Sequence, residues 1–298
     1  MNVGIIGVGN MGLHMARRLA EAGYTVHGFD PRPDIGDRLA DVGAAALPTG
    51  AQVASVSGIT ILMVLNNEQA DAAIWGDDGF AAGADEDSVL LIMSSLAPSY
   101  VASIDSSPNR RFQLVDAPVS GGVEGAERGS LTVMVAGEEC AAATVQPILE
   151  LLGSKIVRVG ARPGLGATMK AINQAMYFTA FASAAEMIVA GAKAGLDPDA
   201  VVDVIGSSSG GSWALGNRVP LAWRADYLSG GSLAIAAKDL ATALQLADEL
   251  GTEASVIRAV AALVDGAMQY HQGAGDDPLI VDAVERLSGF VIAERPIA

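Results

Sequence analysis

Apolar and polar positions change rhythm near the middle of the chain. Over the first half, short and almost unbroken apolar runs at 2–6, 25–29, 59–65, 88–93, 111–115, 131–136 and 155–159 alternate with amphipathic stretches such as 138–151. Runs of this length, polar on neither face, predict strands of a mostly parallel sheet covered by helices on both sides. From residue 163 onward no strand pattern remains. Helical periodicity with short breaks predicts helices over 163–195, 197–205, 213–223, 233–250, 253–271 and 278–289. The pattern divides the chain into an α/β domain over 1–162 and an all-α domain over 163–298, joined by the long helix that opens the second.

That helix, 163–195, is apolar almost all round, and its length alone would suit a membrane. Lys170, Asn173, Gln174, Glu186 and Lys193 interrupt it, and no basic flanks frame it, so burial by protein is the expectation. Lys170, Asn173, Gln174 and Tyr177 fall at i, i+3, i+4 and i+7 and share one face. A lysine near the start of a buried helix loses solvation and meets an unfavourable dipole; both disfavour its charged form and suit it to acid/base work. The same lysine could equally be a paired residue at a domain junction, so this segment alone leaves both readings open.

The first strand runs into Gly7-Val8-Gly9-Asn10-Met11-Gly12 and then an amphipathic helix. In this order the first glycine makes a tight turn, the second admits a pyrophosphate and the third lets helix pack on strand; the helix N-terminus supplies amide donors. The second strand ends at Asp30, about 20 residues beyond the loop, where a carboxylate can accept ribose hydroxyls and repel an extra phosphate. Arg32 partly offsets that repulsion. A Rossmann-type domain binding NAD is therefore predicted, with NADP not excluded. Leu65, Asn66 and Ser95 lie just past strand ends, where ligands bind in open α/β sheets, and are candidates for the nicotinamide rim as well as for simple turns. The segment Asp116-Ala117-Pro118-Val119-Ser120-Gly121-Gly122 reads either as a flexible loop or as a carboxylate holder, with Ser120 as hydroxyl donor and consecutive amides at Gly121 and Gly122.

Charge narrows the choice of partners. A net charge of −16 and a pI near 4.4 argue against nucleic acid and acidic membrane surfaces. Cys140 is the single cysteine, so neither an internal disulfide nor a thiolate metal cluster is expected, and no His/carboxylate group has metal-ligand spacing. His14, His27 and His271 read as structural, and Asp276-Asp277 as a cap of the last helix. The N-terminus opens directly on a strand, and a cytoplasmic location is expected.

Taken together, these motifs make the chain similar to the β-hydroxyacid dehydrogenases, the family of 3-hydroxyisobutyrate dehydrogenases and tartronate semialdehyde reductases. The likeness rests on the glycine loop, Ser94-Ser95-Leu96-Ala97-Pro98, the segment 116–122, Gly164-x-Gly166-x3-Lys170-x2-Asn173 and Lys238-Asp239-Leu240. It implies Lys170 as catalytic acid/base, Asn173 as a substrate ligand, Ser120, Gly121 and Gly122 around the substrate carboxylate, and Lys238 and Ser95 near the cofactor. Lys170 argues against imine reductases, which share the architecture. Gly211-Ser212-Trp213, Asn217-Arg218-Val219-Pro220 and Asn173-Gln174 resemble the L-threonate dehydrogenase branch, whereas Ile92 and His14 depart from the wider family pattern. Gln174 would orient substrate hydroxyls and Trp213 would wall off water. The expected activity is oxidation of a small anionic hydroxy acid, L-threonate-like or a 3-hydroxy acid. The alternatives are reduction of a short acid semialdehyde, such as tartronate or methylmalonate semialdehyde, and a non-catalytic NAD-binding homologue. The broad apolar surface of the long helix predicts a homodimer or homotetramer.

Overall fold

A computed structural model of the 298-residue chain describes residues 1–224 and 229–292. Contacts divide it into two compact units, Met1–Lys170 and Ala171–Ala298.

The first unit is a Rossmann-type α/β domain built on one nine-stranded sheet: β1 (Asn2–Ile6), β2 (Thr25–Phe29), β3 (Ala45–Ala46), β4 (Ile59–Leu62), β5 (Val89–Ile92), β6 (Gln113–Asp116), β7 (Val119–Ser120), β8 (Leu131–Gly137) and β9 (Gly153–Gly160). The spatial order is β3-β2-β1-β4-β5-β6-β8-β7, with β9 also paired to β8. Pairing is parallel from β3 through β6 and between β8 and β9; β8 meets β6 and β7 antiparallel. The continuous apolar runs have a simple cause. Val3, Ile5, Ile61 and Leu91 enter one buried cluster, while Ile6, Leu62, Leu90 and Ile92 enter another on the opposite face. Successive residues of a strand point to opposite faces, so a sheet covered on both sides needs apolar residues at every position. Strand order reverses between β1 and β4, and the crevice beyond the C-terminal ends of these strands is where such sheets bind ligands.

The second unit is helical, with Pro198–Gly206, Trp213–Asn217, Leu233–Glu249, Ser255–Tyr270 and Leu279–Ser288 as its α-helices after the long one. The long helix spans Leu165–Lys193. Phe178, Phe181, Ala182, Ala185, Ile188 and Val189 recur at helical spacing and enter the core of the second unit with Leu215, Leu240, Val264 and Ile280. Although this helix is long and apolar enough to cross a membrane, these side chains fill a protein core. Burial is nevertheless one-sided. Leu165, Met169, Ile172 and Met176 lie along a separate exposed stripe at helical spacing.

Two expected elements differ. The stretch 213–223 is not one helix: Trp213–Asn217 ends before a 3₁₀ turn at Val219–Leu221, where Pro220 brings no N–H to continue the ladder. Between β7 and β8 the chain forms a helix, Gly122–Arg128, which the sequence pattern leaves unmarked.

Candidate functional site

In the first unit the glycine loop divides its labour by sterics. A Cβ on Gly7, whose φ is +91°, would stand 2.3 Å from the Met63 carbonyl oxygen, and one on Gly12 would stand 2.2 Å from the Gly7 carbonyl oxygen. A Cβ on Gly9 would meet nothing within 4 Å. Gly7 and Gly12 are thus required by the protein's own packing, and Gly9 lines open space. Asn10 and Met11 begin the helix Asn10–Glu21, whose N-terminus no side chain caps, so its first amides face that space without a competing side-chain acceptor. This cradle fits a dinucleotide pyrophosphate.

Asp30 follows β2. It accepts hydrogen bonds from the Val8 backbone N–H (2.9 Å) and from Arg32, at 3.2 Å from the backbone and 2.7 Å from Nε, while an Arg32 Nη also donates to the Val8 carbonyl at 2.8 Å. Burial works against its ionisation, yet the Arg32 and Val8 donors prevail and hold the carboxyl below its ordinary value. Asp30 and Arg32 therefore form one rigid, charge-balanced pair beside the loop.

Leu65 lies past β4 with its side chain 61% exposed, and its N–H donates to Gln69 Oε1 (3.0 Å). Asn66 caps the helix Asn67–Trp75 by accepting from Gln69 N at 2.8 Å, so its Oδ1 is committed to local structure. Ser94, preceding Ser95, accepts from Val64 N (2.7 Å) and fixes the end of β4 beside the end of β5. Ser120 belongs to β7, opposite Thr132. Gly121 and Gly122 follow with φ of +131° and +64° at the start of the next helix.

Asp116 organises the start of the long helix. Fully buried at the end of β6, it accepts from Gly164 N (2.8 Å) and Ala167 N (2.9 Å), satisfying helix amides that would otherwise be orphaned. Burial pushes its carboxyl up to about 6 despite these opposing hydrogen bonds. A Cβ on Gly166 would stand 2.7 Å from both the Asp116 and the Met134 carbonyl oxygens, so only glycine lets the helix start this close to the sheet. One turn on, Lys170 is 9% exposed.

In the second unit Asn173 Nδ2 donates to Gln174 Oε1 (3.0 Å), and Gln174 Nε2 donates to Asp239 Oδ2 (2.6 Å). Lys238 Nζ pairs with Asp239 Oδ1 at 3.0 Å. Buried Asp239 thus ties the two amides to Lys238 and is the organising residue that the sequence reading left without a role. Trp213, 55% exposed, lies 5.8 Å from the Tyr177 ring and 4.9 Å beneath the Arg218 guanidinium. Asp277 does not cap the last helix. It accepts from Tyr177 Oη (2.8 Å) and Ser229 Oγ (2.6 Å), and Asp276 accepts from Gly230 N (2.8 Å). Burial raises the Asp277 carboxyl; burial and then the Asp277 charge raise the Tyr177 hydroxyl. His271, read as structural, pairs with Asp282 at 3.0 Å, which Arg286 also holds. Among the described residues no His/Cys/Asp/Glu group could hold a metal ion.

Known proteins share both units. Residues 2–160 match the family described as the NAD binding domain of 6-phosphogluconate dehydrogenase, and residues 164–284 match the NAD-binding region of NADP-dependent 3-hydroxyisobutyrate dehydrogenase. L-threonate dehydrogenase of Cupriavidus necator is 34% identical over 247 residues, 83% of each chain. The crystal structure of a 3-hydroxyisobutyrate dehydrogenase from Salmonella typhimurium superposes with a TM-score of 0.85 at 28% identity, covering 95% of this chain and 99% of that one. The structure of Psf3 in complex with NADP+ and 2-OPP does so with 0.86 at 25%, covering 95% and 99%. With the glycine cradle, the buried Lys170 and the two family matches in agreement, the chain belongs to the β-hydroxyacid dehydrogenase family, as an NAD(P)-dependent member near the L-threonate dehydrogenase branch.

Proposed function

We propose that this enzyme oxidises a small L-threonate-like hydroxy acid with Lys170 as the acid/base. The observation that carries the reading is the setting of Lys170: largely buried, one turn from a helix start pinned by Asp116 and Gly166, and on the same helical face as Asn173 and Gln174. When bound in the glycine cradle, NAD(P) supplies the hydride acceptor. Lys170 Nζ takes the proton of the substrate hydroxyl, help worth about 10²–10⁴-fold in rate. Asn173 and Gln174 orient substrate hydroxyls, with Asp239 fixing the Gln174 amide. Ser120 Oγ and the amides of Gly121 and Gly122 hold the carboxylate. Leu65 and Ser95 line the nicotinamide rim, Lys238 lies near the cofactor, and Trp213 excludes water.

Asp30 favours NAD, while its pairing with Arg32 balances its charge and leaves NADP acceptable. The exposed stripe Leu165, Met169, Ile172 and Met176 supports assembly as a homodimer or homotetramer, and the enzyme acts in the cytoplasm. Reduction of an acid semialdehyde would use the same groups in reverse, the Lys170 ammonium donating its proton.

The test is NADH or NADPH formation by purified protein against L-threonate, D-erythronate, D-glycerate, 3-hydroxyisobutyrate and L-serine. Preference for L-threonate with NAD is the expected result. Tight NADH binding with no turnover of any acid would contradict it.

A further inference from the structure

Arg218 has a donor that the protein leaves unanswered. Among the described residues its Nε is buried without a hydrogen-bond partner, and the nearest acidic atom, Asp277 Oδ2, is 3.8 Å away, too far for a good hydrogen bond. Asp277 is already engaged on both oxygens, by Tyr177 Oη at 2.8 Å and Ser229 Oγ at 2.6 Å. The carboxylate therefore balances the charge of Arg218 without accepting a hydrogen bond from its Nε. The guanidinium also lies over the half-exposed Trp213 ring, 4.9 Å from its centroid, within reach of cation–π attraction. A buried donor without a partner is costly to a fold and is informative where it persists.

We propose that Arg218, with Trp213 and Tyr177, selects a substrate whose tail carries hydroxyl groups. The proposal rests on the hydroxy-acid reading above and names the part of the substrate beyond the reacting carbon. Tyr177 lies on the Lys170 face of the long helix, one turn past Asn173, so the cluster continues the line of polar groups along that helix. Three features fix the chemistry. Arg218 offers N–H donors. The Tyr177 oxygen gives its own hydrogen to Asp277 and faces Arg218, itself a donor, which leaves one lone pair that can accept from a substrate hydroxyl. Trp213 offers an apolar ring face to the C–H side of a carbon chain. Donor, acceptor and ring face together suit a hydroxylated tail. A second carboxylate suits them less well, because Asp277 already balances the one cation and would repel it.

The experiment compares kcat/KM for L-threonate, 3-hydroxyisobutyrate and 2-(hydroxymethyl)glutarate, whose tails are hydroxylated, apolar and anionic. It uses the wild-type enzyme, Arg218→Met and Arg218→Lys. Arg218→Lys keeps a cation beside Asp277 but loses the planar fork, so it guards against a merely misfolded variant. The wild type should favour L-threonate, and both substitutions should reduce the L-threonate/3-hydroxyisobutyrate ratio by roughly 10–100-fold, mainly through KM. An equal fall on both acids, an unchanged ratio, or a wild type that prefers the apolar or anionic tail would overturn the proposal while leaving the dehydrogenase reading in place. A wild type that binds NADH but oxidises none of the three would overturn both.

Discussion

Replacing Gly166 by alanine tests whether the sheet edge sets the position of Lys170. The added Cβ would lie 2.7 Å from the carbonyl oxygens of Asp116 and Met134 and 2.9 Å from Asp116 Cγ. Two of these neighbours are backbone atoms of β6 and β8, which a rotamer change cannot move. Relief requires the helix start to retreat by about 0.5 Å, stretching the Asp116 bonds to Gly164 N and Ala167 N. Overpacking of this kind costs about 1–3 kcal/mol, and alanine's better helix propensity returns at most about 1 kcal/mol. The net expectation is a loss of about 1–2 kcal/mol. Lys170 sits one turn further on and moves with the helix, so kcat should fall by roughly 10–100-fold while the affinity for NADH holds. Gly266 provides the control: it lies inside the helix Ser255–Tyr270, and a Cβ there meets nothing within 4 Å, so Gly266→Ala should stabilise by up to about 1 kcal/mol. Urea unfolding followed by circular dichroism, paired with steady-state kinetics, reads both effects. A Gly166→Ala enzyme as stable and as active as the wild type would refute the reasoning; lost stability with intact kcat would refute the link to Lys170.

Other sites give sharper separations. Gly9→Ala should leave the stability of the cofactor-free protein within about 0.5 kcal/mol but weaken NADH binding at least roughly tenfold, because a bound pyrophosphate would need the open space that its Cβ enters; calorimetric titration checks it. Asp30→Ser should shift the NADP/NAD ratio of kcat/KM upward by roughly tenfold or more, since Arg32 would lose its charge-balancing partner; a ratio that stays put would remove Asp30 from cofactor choice. Asp116 carries a pH signature. Its folded value of about 6 exceeds the ordinary 3.8, so its contribution is fully present below 3.8 and is lost as pH rises through about 6. Relative to Asp116→Asn, the wild type should lose up to about 3 kcal/mol between about pH 4 and about pH 7 in urea unfolding, and a constant difference would contradict the raised value.

The sequence disclosed most where one local rule governs the outcome. Strands buried on both faces need apolar residues at every position, which makes β1, β4 and β5 plain in the text of the chain. The glycine loop is legible because Gly7 and Gly12 answer steric demands of the protein's own packing and Gly9 keeps the space beside them open, and Gly166 marks the start of the long helix by a steric demand of the same kind. Long-range polar pairing left no such mark. Asp277 follows a glycine-rich turn just before a helix and so reads as a cap; its partners Tyr177 and Ser229 lie 100 and 48 residues away. Asp239 looked like one letter of a motif until its bond to Gln174, 65 residues distant, gave it a role. Ser-Gly-Gly at 120–122 reads either as a flexible loop or as a carboxylate holder, and neither reading announces the helix that opens there on the positive φ of Gly121 and Gly122. The exposed stripe on the long helix was masked by its uniform apolarity, which does not say which face the protein covers.

Lys170→Met is the most direct test of the central claim. The substitution keeps the bulk of the side chain and removes the only atom assigned to proton transfer. L-threonate oxidation should fall by at least roughly 10²–10⁴-fold, with NADH affinity and the unfolding midpoint close to those of the wild type. A Lys170→Met enzyme that retains wild-type turnover would contradict the account, because no other side chain in it moves the hydroxyl proton.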